Sequence, residues 1–234
     1  MKPTTIAIIA LLVAWVVFTY LRYKKLSKDV NALSKLLYAD KNPQAYIDKC
    51  QELVNKTNPK KRDYDINLLQ RSTGEMFAGE FQEAINTLEN DMKKIPMNGQ
   101  HLYYQNLLFS YFFDGQIERG HAQFLEGKES LEHYKKTPAN ADGIEFIFAI
   151  DEVYSAKNTD EFKDVFDSRT EFFEEQSENG RNPYRQALAS YILVMMYEKL
   201  GETEKLKKHL DICVSEGKNS FMEKRALEIL NSVE

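Results

Sequence analysis

The sequence predicts an all-α protein, and three observations support this prediction. Glycine (10 residues) and proline (6) are scarce in the 234-residue chain, so few of the β-turns of a many-stranded sheet can form. Leu, Glu, Lys, Gln and Met, which favour helices, are plentiful. No segment sustains the apolar–polar alternation of a strand. With 43% apolar and 29% charged residues, the composition is that of a folded chain rather than a disordered one.

Residues 1–25 predict an uncleaved transmembrane anchor. Residues 3–21 carry no charge and, as one helix, would span roughly 28 Å, close to the hydrocarbon thickness of a bilayer. The run Trp15–Tyr23 is bulky and is followed by Lys24 and Lys25, which does not match a signal-peptidase site. Because the basic residues crowd this side, the positive-inside rule predicts a single-pass membrane protein with a cytoplasmic domain.

Residues 26–62 predict a juxtamembrane helix and a lead-in helix. Leu26, Val30, Leu33 and Leu37 are spaced 4, 3 and 4 residues apart, which gives a helix one apolar stripe. Two heptads are fewer than a coiled-coil dimer needs. We therefore expect this helix to pack on its own domain, with a coiled coil as the alternative.

Prolines and helix caps divide the remaining chain. Asn42, Asn58 and Asn182 each precede a proline, and an Asn cap with proline in the first turn favours a helix start. Ser220-x-x-Glu223 has the pattern of a capping box. The predicted helices lie near residues 43–57, 63–77, 80–94, 98–113, 116–135, 141–156, 159–177, 183–200, 202–216 and 220–233.

An internal repeat is the strongest signal in the chain. Three tight turns, Asp114-Gly115, Lys157-Asn158 and Leu200-Gly201, are spaced 43 residues apart. A tyrosine lies four residues before the second residue of each turn. An aliphatic residue lies eight residues before that same turn residue. These residues are Tyr111, Tyr154 and Tyr197, and Leu107, Ile150 and Leu193. A helical hairpin cannot bury its apolar face alone, so each copy offers the same side chains to its neighbours.

The repeat resembles the tetratricopeptide repeat. A first unit aligns on Ala78-Gly79, 36 residues before the next turn. The matching positions are Ala84, Leu88 and Pro96, then Tyr104, Leu107, Tyr111, Gly115, Gly120, Phe124 and Gly127, then Leu193, Tyr197, Gly201, Leu210 and Cys213. The period exceeds the 34 residues usual for the family, and charged Arg71, Glu75, Lys163 and Asp167 stand at positions expected to be apolar. Longer-helix α-solenoid repeats are therefore the alternative.

The resemblance implies an α-solenoid of about four hairpins within residues 63–234, with residues 220–233 as a capping helix. Family members form a right-handed superhelix that binds peptides or proteins in a concave groove. Placing Tyr104, Leu107 and Tyr111 inward, and shifting by 43 residues, leaves a set of side chains on that groove. These side chains are Gln105, Phe109, Phe112, Phe148, Glu152, Tyr191, Met195 and Glu198. The alternative is that neighbouring repeats cover Phe109, Phe112 and Phe148.

The sequence shows no recognisable active site, so we expect neither an enzyme nor a bound cofactor or metal. His101, His121, His133 and His209 lie too far apart for a metal motif, and Cys50 and Cys213 fit small core positions. All 36 acidic residues follow residue 25, which disfavours nucleic acid as a partner. The predicted function is a membrane-tethered scaffold for a protein or peptide partner. The alternatives are a subunit of a membrane complex contacted through its span and an enzyme with scattered catalytic residues.

Overall fold

The computed structural model describes residues 15–21, 24 and 28–233, without the side chains of residues 203 and 233. This part of the chain is helical and contains no strand. A leading helix (28–34) ends in a π-helical turn, Lys35–Ala39. Ten α-helices follow: α1 Pro43–Lys56, α2 Arg62–Ala78, α3 Phe81–Asn86, α4 Gln100–Phe113, α5 Ile117–Lys135, α6 Pro138–Ser155, α7 Thr159–Asn179, α8 Pro183–Leu200, α9 Leu206–Glu216 and α10 Phe221–Val233. The ten predicted helices are confirmed, and α3 continues as a π-helical turn, Thr87–Asp91.

The helices begin and end where local side-chain chemistry places them. The side chains of Asn42 and Asn182 accept hydrogen bonds from the backbone of Ala45 and Arg185 and cap α1 and α8. Backbone in the left-handed region ends α2 at Gly79 (φ 86°) and α8 at Gly201 (φ 74°), a conformation that glycine adopts without strain. The predicted turns at these two glycines are therefore confirmed.

Consecutive hairpins pack in chain order, which fits an α-solenoid. The repeated aliphatic residues Leu107, Ile150 and Leu193 are fully buried. A Cβ built on Gly127 of α5 would lie 2.6 Å from the Tyr104 ring of α4, so only a residue without a side chain allows this approach. The small and aliphatic positions of the repeat thus set the distance between the two helices of a hairpin.

The charged residues that break the repeat pattern on α2 form a buried ion pair. Arg71 Nε lies 2.8 Å from Glu75 Oε1, and Thr87 Oγ1 donates a hydrogen bond of 2.8 Å to Glu75 Oε2. A second guanidinium nitrogen of Arg71 donates to Gln51 of α1 at 2.7 Å. Burial raises the pKa of Glu75, while the Arg71 charge opposes that rise. The pair joins α1, α2 and the π-helical turn through polar contacts rather than apolar ones.

The stack of hairpins curves until its two ends meet. Lys41 Nζ lies 2.8 Å from Glu216 Oε2, and Asn219 Nδ2 donates to the Lys41 carbonyl at 3.0 Å. Between the ends, the rings of Phe77 on α2 and Tyr184 on α8 are 4.8 Å apart. The first helices of the hairpins, α2, α4, α6 and α8, therefore face a common inner side. Leu33 of the leading helix and Leu37 of the π-helical turn that follows it are also buried in this core.

The predicted transmembrane anchor is not supported, and the single-pass membrane localisation is corrected with it. Among residues 15–21, 24 and 28–233, no helix is both long enough and apolar enough to span a membrane. The prediction required residues 3–21 to form one continuous helix. Of the predicted anchor, residues 1–14, 22, 23 and 25 lie outside the described residues.

Candidate functional site

The first two rings of the predicted groove lie in the core. Phe109 packs against Phe146 of α6 with ring centroids 6.2 Å apart, and Phe112 stacks on Tyr154 of α6 at 4.7 Å with nearly parallel planes. Both phenylalanines are at most 2% exposed. The prediction that they face an open concave surface is therefore corrected, because the next repeat covers them.

Two further predicted residues on α6 contact the second helices of hairpins. The Phe148 ring meets Phe124 of α5 edge-on at 5.0 Å. Glu152 accepts two hydrogen bonds from the Arg169 guanidinium of α7, at 2.5 and 2.7 Å. These side chains hold neighbouring helices together and do not lie on a surface shared with Phe109.

The α8 members of the predicted groove are divided between the inner side and the surface. Tyr191 lies 5.4 Å from the Phe221 ring of α10, which fills the inner side between α4 and α8. Met195 Sδ accepts a hydrogen bond from the Tyr154 hydroxyl at 3.3 Å, and Glu198 is exposed. The eight predicted residues therefore do not form one groove.

A cavity of about 220 Å³ does open on the inner side, where α4, α6 and α8 begin. Two of the predicted residues, Gln105 and Phe109, line it. Its apolar floor is formed by Phe77, Phe109, Ile144, Ile147 and Leu188. Its polar rim is formed by His101, Gln105, Asn140, Asp142, Arg181 and Arg185.

Arg185 is the most deeply held cation of the rim. Its Nε donates to Gln176 Oε1 at 2.9 Å and its Nη2 donates to the Asp142 carbonyl at 3.1 Å. The guanidinium carbon lies 3.2 Å from the centroid of the Phe146 ring, a cation–π contact. Burial lowers the pKa of Arg185 to about 9, which leaves the group cationic at neutral pH.

Asp142 and two arginines give the rim a net positive charge. Asp142 Oδ1 accepts from Gln176 Nε2 at 2.9 Å, while its Oδ2 lies 3.6 Å from Arg181 Nε and 3.7 Å from Arg185 Nη2. These two distances exceed the range of a hydrogen bond, so the ion pairs leave N–H donors unused. Beside them, His101 Nδ1 is buried without a hydrogen-bond partner among the described residues, and burial lowers the His101 pKa.

A second, shallower groove continues outward from the cavity. It runs between the leading helix and the start of α8 and includes Ser34, Lys35 and Pro183. Tyr38, Arg181 and Asn182 line both spaces. A ligand in the outer groove could therefore extend past Arg181 into the cavity.

A second polar cluster lies between α5 and α6. His121 Nδ1 lies 2.9 Å from Asp151 Oδ1 and 2.9 Å from Ser155 Oγ. A nucleophilic triad needs the acid and the hydroxyl on opposite ring nitrogens, whereas both meet the same nitrogen here. This geometry does not activate Ser155. Within the described ranges, no three His, Cys, Asp or Glu side chains converge as metal ligands.

Sequence reasoning missed the arginines of the rim. Asp142 and Arg185 are 43 residues apart and so occupy equivalent positions of adjacent repeats, a pairing that the repeat alignment contains. The opposite charges at this repeat position were the sequence feature that could have indicated the site.

In comparisons with known proteins, no family model matches the chain, and neither the curated proteins nor the solved structures contain a match.

Proposed function

We propose that this protein is a peptide-binding module of the tetratricopeptide-like kind, with its binding site at the inner cavity. The supporting observation is the cavity itself, which has an apolar floor, a cationic rim and an outlet into the groove beside the leading helix. Helical-repeat proteins commonly bind extended partners on the surface that their repeats share. The interaction partner is thus a protein segment rather than a folded surface.

The size of the cavity fits one residue of a peptide. At about 220 Å³ the cavity has room for little more than one amino-acid side chain. A peptide that places one residue in the cavity and the rest in the outer groove uses both spaces.

Gly143 provides a direct test. This residue of α6 lines the cavity, and no atom lies within 4 Å of a Cβ built on it. Gly143→Phe adds a ring at the cavity, and Gly143→Ala is the matched control. We expect the full-length protein and Gly143→Ala to retain the same peptides from a soluble random-peptide library, and Gly143→Phe to lose them.

The melting temperature of each variant shows whether the fold is intact, since either residue favours a helix more than glycine does. Equal peptide recovery by the wild type and a folded Gly143→Phe variant would refute the cavity as a peptide site. Failure of the wild type to retain any peptide from the library would refute the proposed function itself.

A further inference from the structure

One edge of the stack carries basic loops, and we propose that this basic edge docks on the surface of an anionic lipid bilayer. The edge consists of the loops that lead into α2, α4 and α6, at residues 57–61, 92–99 and 136–137. None of these residues lines the inner cavity, and the proposal does not depend on peptide binding. The contact needs no helix that crosses the membrane.

Contacts between neighbouring segments hold the three loops together. The Lys93 ammonium nitrogen lies 3.5 Å from the Pro59 carbonyl oxygen, and the Lys93 backbone N–H donates to Asp65 Oδ1 of α2 at 2.9 Å. The hydroxyl of Tyr134, in the last turn of α5, donates to the Met97 carbonyl. The loops therefore form one surface.

The charge of this edge is opposite to that of the whole chain, which has a net charge of −5. The sequence of the three loops contains no acidic residue, and the first residues of α2 add Arg62 and Asp63, which leave the balance unchanged. The loops that follow α2, α4 and α6, at the opposite ends of these helices, hold two acidic residues and one lysine. The basic edge has five lysines, all exposed: Lys60, Lys61, Lys93, Lys94 and Lys136.

Two exposed apolar side chains stand among these lysines. Met97 is 72% exposed and Ile95 is 37% exposed. Pro96 between them is buried, and its carbonyl accepts a hydrogen bond of 2.7 Å from the Gly99 backbone N–H. A Cβ built on Gly99 would lie 2.6 Å from Leu69 of α2, so the loop lies close against that helix. The backbone of the loop is thus held in place while its two apolar side chains are left in solvent.

The combination of lysines and apolar side chains favours a bilayer over other anionic partners. Basic residues are attracted to the headgroups of an anionic leaflet, and apolar side chains beside them enter the boundary with the acyl chains. Single-stranded nucleic acid is bound by basic grooves whose aromatic rings stack on the bases, and the sequence of the three loops contains no aromatic residue. A run of acidic residues satisfies the lysines but offers Ile95 and Met97 no apolar contact.

The test places a fluorescent label in the apolar loop of the full-length protein. Met97→Cys carries an environment-sensitive label, and since Cys50 and Cys213 are fully buried, the native protein reacts at position 97. Lys157→Cys carries the same label at the opposite edge. The vesicles contain phosphatidylglycerol and phosphatidylcholine in equal parts, or phosphatidylcholine alone. We expect the emission of the label at position 97 to shift to the blue on the anionic vesicles only, and the emission of the label at position 157 to stay unchanged.

Lys61→Gln combined with Lys94→Gln, in the chain labelled at position 97, removes charge from two loops at once. We expect the affinity for anionic vesicles to fall by about tenfold or more, because each basic residue near an anionic surface contributes about fivefold. Lys157→Gln combined with Lys163→Gln removes the same charge from exposed positions elsewhere and is the matched control. Ile95→Gln should also weaken binding, because it removes an apolar side chain without changing the charge.

Several results would overturn the inference. These are an equal blue shift on the neutral vesicles, no shift on the anionic ones, or wild-type affinity in the variant that lacks Lys61 and Lys94. Wild-type affinity in Ile95→Gln would overturn the entry of the loop into the bilayer. An equal response to soluble polyglutamate or to a single-stranded polynucleotide would identify a soluble polyanion as the partner and would overturn the inference too. Peptide binding at the cavity, which Gly143→Phe tests, stands or falls separately.

Discussion

The hydroxyl of Tyr197 donates a hydrogen bond of 2.9 Å to Glu174 Oε1 and so joins α8 to the second helix of the preceding hairpin. Tyr111 makes the equivalent bond to Glu89, on the π-helical turn that follows α3. Two of the repeated tyrosines thus donate a hydrogen bond to a glutamate of the preceding hairpin. The third, Tyr154, donates instead to the thioether of Met195.

We expect Tyr197→Phe to lower the free energy of unfolding by about 1–2 kcal/mol, because the carboxylate of Glu174 loses a buried donor. Denaturation in urea measures the loss. Tyr154→Phe is the matched control and should cost less, since a thioether is a weak acceptor. Equal losses in the two variants would contradict a specific contribution from Glu174.

The close approach of α4 and α5 predicts that alanine is not tolerated at Gly127. A Cβ there would lie 2.6 Å from Cδ1 of Tyr104, whereas a Cβ on Gly143 meets open space. Overpacking costs about 1–3 kcal/mol, more than the gain of up to about 1 kcal/mol from replacing a helical glycine. In urea denaturation, Gly127→Ala should therefore be less stable than the wild type and Gly143→Ala more stable. Stabilisation by both substitutions would show that the Tyr104 ring moves aside freely.

Much of the fold could be predicted because its signals are local. The caps at Asn42 and Asn182 and the glycines at Gly79 and Gly201 each act within one turn of a helix. Leu193 is buried as the repeat predicts, because a hairpin must cover its apolar face with the next hairpin. These features depend on residues close in sequence or on a fixed spacing.

The candidate site could not be predicted because it depends on how far the stack curves. Phe113 on α4 and Tyr191 on α8 belong to hairpins two repeats apart, yet their rings are 5.9 Å apart and Phe221 packs against both. The curvature is the sum of small rotations between hairpins, and no single repeat encodes it. The same closure brings Phe77 of α2 and Arg185 of α8 to one cavity.

Because His209 is buried, we expect the folded protein to lose stability in acid. The ring is fully buried beside Glu174, and burial lowers its pKa below the ordinary 6.5 although the Glu174 charge opposes this. The unfolded chain therefore binds a proton more readily than the folded one, and stability falls as the pH drops below 6.5, by at most about 1.4 kcal/mol per pH unit for this group.

Urea denaturation of wild type and His209→Gln across this pH range measures the effect. The variant, which retains a side-chain donor near Glu174, should lose less stability on acidification. Exposed His133→Gln is the control and should follow the wild-type curve. Parallel curves for wild type and His209→Gln would show that the buried ring does not titrate with folding.

The contacts of Phe221 indicate that this residue holds α10 against the inner side of the stack. Its ring lies 5.1 Å from Phe81, 4.9 Å from Phe113 and 5.4 Å from Tyr191, so Phe221→Ala removes contacts to three hairpins at once. We expect a loss of about 3–5 kcal/mol in the free energy of unfolding, typical of a buried phenylalanine. Amide hydrogen exchange should rise first in α10, because the substitution removes contacts that hold this helix against the inner side. Leu227→Ala, on the exposed face of the same helix, should change neither quantity. Unchanged protection of α10 in Phe221→Ala would mean that other contacts close the inner side.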